Sequence, residues 1–352
     1  ESADQLGTSV DRILSEWHNG KHFRILSECI RFASGEAKGM IHKSVREKDL
    51  YILVDVCNPS LTYEMDGYVN HMSPDDHFQD LKRMIAACGG TADRITVIMP
   101  FLYEGRQHRK TNRESLDCAL MLRELENMGI HSLITFDAHD PRIQNVVPLM
   151  DFLNVSPALQ FTQCLLEEYK DLRLDAEHLM FISPDEGATG RVIFLASVFG
   201  VNIGMFYKRR DYTRIVNGTN PIIAHEFCGG SVEGMDVIIV DDMIASGSSM
   251  LDVSRQLKDR GAKRVLIFAT FGLFSNGFDA FDRAYERGEF DRVFTTNLVY
   301  QEPELLEREY YTSVEMERYL AAMIDHKFHG GALLDLTKPE ARIRHLIEAR
   351  RK

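Results

Sequence analysis

Two carboxylates and three hydroxyls crowd the run VDDMIASGSSM, from Val240 to Met250, and their order suggests binding chemistry. Asp241 and Asp242 close an apolar stretch. Ser246, Gly247, Ser248 and Ser249 then precede a segment with Met250, Val253 and Leu257 at helical spacing. A small-residue loop at a helix N-terminus turns several backbone N–H groups into one concavity, where they and the helix dipole suit a phosphate monoester. Gly247 lets the backbone approach such a group, the serines add donors, and the paired carboxylates can hydrogen-bond a vicinal diol such as a ribose presents. The same residue types also make an ordinary strand-to-helix turn whose aspartates solvate the connection, so the segment alone leaves both readings open.

The elements that must hold this loop are legible as short β-branched runs alternating with helical periodicity. Strands are expected at Leu50–Val56, Ile95–Met99, Ser132–Phe136, His178–Ile182, Val237–Val240, Val265–Thr270 and Val293–Thr295. Between them, Cys118, Met121, Leu122, Leu125 and Met128 fall at helical spacing, and Gly129 supplies a C-cap signal. Near-continuous apolar strands separated by helices predict an α/β fold with mainly parallel sheets covered on both faces. Two successive α/β blocks are expected, residues 1–157 and 158–335, followed by a charged tail, 336–352, that reads as a helix. A further helix is predicted over Ser313–His326, with Thr312 and Glu315 as a capping box.

Composition excludes several function classes. The 352 residues carry 41 Lys and Arg against 53 Asp and Glu, a net charge of −12, which argues against a protein-wide field for nucleic acid or anionic membrane. No apolar run reaches the ~18 residues of a membrane span, and the N-terminus lacks the order of a secretion signal. The missing initiator Met points to trimming or truncation. Six cysteines stand singly, with no C-x-x-C pair, which suits reduced core thiols in a cytoplasmic protein better than a disulfide framework or zinc site.

VDDMIASGSSM resembles the five-phosphoribosyl-binding loop of the type I phosphoribosyltransferase fold, and most closely that of the ribose-phosphate diphosphokinase (phosphoribosyl diphosphate synthetase) family. Five other segments match that family in order. Phe32-Ala-Ser34-Gly-Glu36 is similar to its ATP-base segment, where an aromatic plane stacks on adenine and polar groups meet the edge of the base. Arg106-Gln107-His108-Arg109-Lys110 resembles a second ATP-site segment, with His108 in place of the usual Asp. Asp137-Ala-His139 looks like the stretch whose His helps hold the Mg-nucleotide. Ser183-Pro-Asp185 looks like the segment whose Asp bonds the metal assembly, and Lys208-Arg-Arg210 is similar to the catalytic Lys-x-Arg at the base of a mobile loop.

The resemblance implies two phosphoribosyltransferase-like domains, Mg²⁺ as cofactor, and ATP and ribose 5-phosphate as substrates. It also implies a homo-oligomer, dimer or hexamer, whose ATP site is shared between subunits. Lys208 and Arg210 would be catalytic, and His139 and Asp185 would serve the metal. Phe32, Ser34, Glu36, Arg106, Gln107 and His108 would bind ATP. Asp241, Asp242, Ser246, Gly247, Ser248 and Ser249 would bind ribose 5-phosphate. Departures from the family pattern are Ala245 for a third Asp, Ser248 for a usual Gly, and a rewritten segment, Asn58–Ser73. Two other functions are weighed against the synthetase: a non-catalytic synthetase-like regulatory subunit, which Ala245 favours, and a phosphoribosyltransferase consuming phosphoribosyl diphosphate, which has no need of the Phe32 and Arg106 segments.

Overall fold

The computed structural model describes residues 1–210, 222–331 and 333–351. Helix α1 (Asp4–Trp17) leads into a hairpin of β1 (Ser27–Arg31) and β2 (Ala37–Ile41), then β3 (Asp49–Leu53). A second hairpin, β4 (Thr62–Met65) and β5 (Tyr68–His71), precedes α2 (Pro74–Ala87), β6 (Arg94–Ile98), α3 (Asp117–Asn127), β7 (Ser132–Phe136) and β8 (Asp151–Val155). Next come α4 (Ala158–Glu168), β9 (Leu179–Ser183), α5 (Thr189–Phe199), β10 (Asn202–Arg210), β11 (Ile222–Cys228), β12 (Asp236–Ile244), α6 (Ser248–Asp259) and β13 (Arg264–Gly272). The chain ends with α7 (Asp279–Glu286), β14 (Arg292–Thr296), α8 (Pro303–Leu306), β15 (Tyr311–Val314), α9 (Glu317–Phe328), α10 (Leu334–Thr337) and α11 (Glu340–Arg351).

Two compact units result. The first comprises residues 1–156, 297–300 and 315–337; the second comprises residues 157–296, 301–314 and 338–352. In the first unit a parallel sheet runs β3-β6-β7-β8. One face packs Val97 and Leu133 against Phe78 and Leu81 of α2 and Met121 and Leu125 of α3. In the same unit Phe136 meets Tyr319 of α9 edge to face.

The second unit holds a seven-stranded sheet, β11-β10-β9-β12-β13-β14-β15, parallel except where β11 returns against β10. Side chains alternate across a pleated strand, and the core divides accordingly. Met180, Val237, Ile239, Val265 and Ile267 pack with Met250, Val253 and Leu257 of α6. Phe181, Ile238, Val240, Leu266 and Phe268 pack with Leu159 of α4, Leu195 of α5, and Ile343 and Ile347 of α11. The charged tail is therefore a core helix, with Ile343 fully buried.

Each of the seven expected strands is present, and the expected α/β class holds. The helix expected at Ser313–His326 needs correction. Thr312 lies in β15 opposite Phe294 and donates its hydroxyl to Glu168, so it caps nothing, and α9 begins at Glu317. The Tyr311–Val314 run, with β-branched Thr312 and Val314, completes the sheet edge, and that pairing overrides the local helix signal. The Asn58–Ser73 segment is the β4–β5 hairpin, turned by Asp66 and Gly67 with both φ values positive. No disulfide joins any of the six cysteines among the described residues; Cys88 and Cys118 are core thiols, whereas Cys228 is exposed.

Candidate active site

The order of the seven strands creates a crevice. From β9 the chain passes through α5 to β10 on one side, and from β12 through α6 to β13 on the other. α5 and α6 cover opposite faces. Adjacent parallel strands whose connections depart in opposite directions open a crevice at their carboxyl ends, where ligands of open α/β sheets bind. β9 and β12 pair in parallel up to Ile239 opposite Ile182, so Asp185 and Asp241 leave the same edge of neighbouring strands.

Three acids gather there. The backbone N–H of Asp242 donates to Asp241 Oδ1 at 2.8 Å, and Asp242 is buried. Burial, then the neighbouring charges of Asp242 and Asp185, hold the Asp241 carboxyl well above the usual carboxylate range. Asp185 is aimed by its own loop: its Oδ1 accepts from Gly187 N–H at 2.9 Å, and Ser183 Oγ donates to its carbonyl at 2.6 Å. Arg191, in the first turn of α5, reaches Asp242 Oδ2 at 3.5 Å and the Gly187 carbonyl at 3.3 Å. Sequence reasoning passed over Arg191. The available signal was a cation placed against the helix dipole, where an acid is the favoured residue.

The loop beyond the acids ends in the geometry that a close anion approach needs. Gly247 has φ 77° and a Cβ there would collide with the ring of buried Phe281, so a side chain is excluded twice. No side chain caps α6, so its first N–H groups face the loop. Ser246 and Ser248 hydroxyls lie 3.2 Å apart, Ser248 is exposed, and Ser249 sits half-buried in the first turn.

The first unit has its own strand-edge cluster. Asp137 closes β7 with φ 42°, an uncommon conformation for a non-glycine residue, and its N–H donates to Val155 O at 2.8 Å. Ala138 N–H donates to Asn154 Oδ1, and His139 projects next. The rings of His139 and His108 lie 5.4 Å apart, while His108 Nε2 is 3.5 Å from Asp140 and its buried Nδ1 has no hydrogen-bond partner among the described residues. Asp140 is gripped by Arg142 through its Nε and Nη2 groups, which pulls its carboxyl down to about 2. Gln107 spends its amide on the Ser115 carbonyl at 2.8 Å, and Arg106 is exposed.

Phe32, Ser34 and Glu36 form the tip between β1 and β2, with Phe32 N–H donating to Glu36 O and Ser34 Oγ to Glu36 Oε2 at 2.9 Å. Among the described residues, no hydrogen bond, ion pair or ring contact joins that tip to Arg106, Gln107 or His108. Lys208 and Arg210 lie on β10, whose backbone pairs Lys208 with His225 of β11; their side chains, and the loop 211–221, fall outside the described residues. The half-buried Asp175 and His178, with exposed Glu177, can also converge on an ion, but this trio precedes β9, at the opposite end of that strand from Asp185.

Residues 4–129 match the family described as the N-terminal domain of ribose phosphate pyrophosphokinase, and residues 162–293 match the phosphoribosyl transferase domain family. A ribose-phosphate pyrophosphokinase of Vibrio parahaemolyticus is 30% identical over 84% of this chain and 85% of its own length. The chain belongs to the ribose-phosphate pyrophosphokinase family. The homologue from Ralstonia nicotianae is also 30% identical, over 70% of each chain. Within the solved structures, a phosphoribosylpyrophosphate synthetase from Mycobacterium smegmatis shares the fold with a TM-score of 0.77 at 23% identity, covering 94% of this chain and 97% of that one. The second matched region holds the Asp185 and Asp241 edge, the first ends at residue 129, before β7, and no helix among the described residues is long and apolar enough to cross a membrane.

Proposed function

We propose that this chain transfers the diphosphoryl group of Mg-ATP to the anomeric hydroxyl of ribose 5-phosphate, giving 5-phosphoribosyl 1-diphosphate and AMP. The carrying observation is the switch-point crevice: two consecutive acids in β12 just beyond its pairing with β9, followed by a loop that Gly247 closes onto a helix that no side chain caps among the described residues. That order suits one ligand with a diol and a phosphate a few bonds apart.

Asp241 and Asp242 orient the ribose hydroxyls, and Ser246, Gly247, Ser248 and Ser249 hold the 5-phosphate. Phe32, Ser34, Glu36, Arg106, Gln107 and His108 serve the nucleotide, with Phe32 stacking on the base. Magnesium fits the acids of the second unit, because Asp185, Asp241 and Asp242 are hard oxygen donors whose crowded charge is unfavourable without a cation. Asp185 and His139 would hold the metal-nucleotide, and the ion when bound offsets the charge of the triphosphate. The anomeric oxygen forms a bond to the β-phosphorus while the bond to the α-phosphoryl oxygen breaks, the electron pair leaves with AMP, and the hydroxyl proton goes to solvent. Lys208 and Arg210 stabilise charge on the transferring group. The chain works as a cytoplasmic homo-oligomer with the ATP site shared between subunits.

The test is to incubate the purified chain with Mg-ATP and ribose 5-phosphate and follow AMP and phosphoribosyl diphosphate. Equal amounts of both are expected. No AMP across divalent metals and phosphate concentrations overturns the reading in favour of a regulatory subunit. Consumption of phosphoribosyl diphosphate with a free base points to a phosphoribosyltransferase.

A further inference from the structure

The β4–β5 hairpin does more than lengthen a connection. Its base is fixed: Asn58 is buried, donates to the Ser2 carbonyl at 2.7 Å, and its own carbonyl meets His77 Nε2 at 2.7 Å. Along β4 the residues alternate, Thr62 and Glu64 outward, Tyr63 and Met65 half-buried. That inner pair meets the Phe32–Glu36 tip and its supports. Arg31, the residue before Phe32, lies with its guanidinium 4.8 Å from the centre of the Tyr63 ring. The same guanidinium donates to Asp80 at 3.0 Å and to the tip carbonyl of Gly35 at 3.3 Å. Met65 occupies the space beside Gly35: a Cβ on that residue, whose φ is 85°, would stand 2.6 Å from Met65 Sδ.

We infer that the β4–β5 hairpin is a buttress that sets the affinity of the nucleotide site, with Tyr63, Met65 and Arg31 as positioning residues for the Phe32–Glu36 tip. This rests on the proposed nucleotide role of that tip. Phe32 is exposed and its tip is held at its two ends, by the β1–β2 ladder and by the Arg31–Tyr63 stack with Met65. Loosening the second support lets the ring sample orientations that cannot stack on a base. Ordering it again on binding then costs affinity without touching the reacting atoms.

The experiment is steady-state kinetics of Tyr63→Ala, Tyr63→Phe, Phe32→Ala and the double variant Tyr63→Ala/Phe32→Ala. Tyr63→Ala should raise KM for ATP about three- to ten-fold, the effect of losing a partly desolvated cation–π contact, with kcat and KM for ribose 5-phosphate near wild type. Tyr63→Phe keeps the ring face and should match wild type. The double variant should be no worse than Phe32→Ala alone, because both act through one ring. Unchanged KM for ATP in Tyr63→Ala, additive losses in the double variant, or equal losses for both substrates would overturn the buttress while leaving the activity intact. A wild-type chain that forms no AMP overturns the functional reading first, and the buttress with it.

Discussion

Both units present acids and their partners at the carboxyl edge of a parallel sheet, yet they prepare those charges in opposite ways. At the β9–β12 crevice, Asp185, Asp241 and Asp242 crowd together, and Arg191 lies 3.5 Å from Asp242. Asp241 is pushed toward its protonated form. At the β7 edge, Asp140 is bound by Arg142 and drawn down to about 2, beside His108 and His139. One edge crowds like charges so that Asp241 is held toward its neutral form, a cost that an added cation would relieve. The other is already neutralised by its own arginine. A site that must take up metal and sugar benefits from the first arrangement, whereas a site that must present an imidazole in a fixed pose benefits from the second.

The comparison predicts where damage is greatest. The proposed catalytic cation should matter most, so Lys208→Ala is expected to lower kcat by about 10²–10³ while the thermal unfolding midpoint stays near wild type. Turnover close to wild type would remove Lys208 from the mechanism. Next comes the loop that closes the β9–β12 edge. Gly247→Ala places a side chain in a left-handed conformation and against Phe281, at a combined cost of about 2–4 kcal/mol. Denaturant unfolding should show that loss together with a raised KM for ribose 5-phosphate. A variant with wild-type stability would show that the loop relaxes freely, contrary to a preformed anion site.

Why these regions differ was only partly legible beforehand. The strands bounding both edges could be read from apolar runs, because each is buried on both faces and carries an unbroken hydrophobic signature. The strand-to-helix connection at Ser246–Ser249 was legible because small residues separate an apolar run from helical spacing, whereas its ligand was not, because the same residues also build an ordinary turn. The pairing of Asp140 with Arg142 was not, since spacing alone cannot tell a chelating arginine from a solvated one. Thr312 misled because its local pattern imitates a helix cap, and the deciding interaction, with β14, is distant in sequence. The β4–β5 hairpin carried a usable sign, Asp66-Gly67 between alternating residues, which is a strong two-residue turn signal. Ile343 and Ile347 were hidden in a tail whose other residues are mainly charged, so a core helix looked like an appendage.

A subtler contrast concerns stability. Asp241 has its folded pKa raised above the unfolded value, so the contribution of its proton to stability is full below the ordinary carboxylate range and is lost as pH rises through the folded pKa. Asp241→Asn keeps an oxygen to accept from Asp242 N–H and removes the repelled charge. At neutral pH it should therefore unfold later than wild type, by about 1 kcal/mol, while losing activity, a trade of function against stability. The gap should shrink as pH falls toward 4. A gap that is constant with pH would mean that Asp241 is not electrostatically strained.

The smallest effect is expected at the satisfied edge and has the opposite pH sign. Asp140 titrates at about 2 in the fold, below its ordinary value near 3.8, so its contribution is present above that value and is lost as pH falls toward 2. Arg142→Ala removes the largest cause of the depression, and the Asp140 carboxyl, followed by carbon NMR, should titrate at higher pH. Acid unfolding should begin slightly earlier, with no change at pH 7 to 8 beyond that of an exposed ion pair, because Arg142 is largely solvated and its attraction is screened. High salt should reproduce part of the shift in the wild-type chain. If Asp140 still titrates near 2 without Arg142, His108 rather than Arg142 holds that carboxylate ionised.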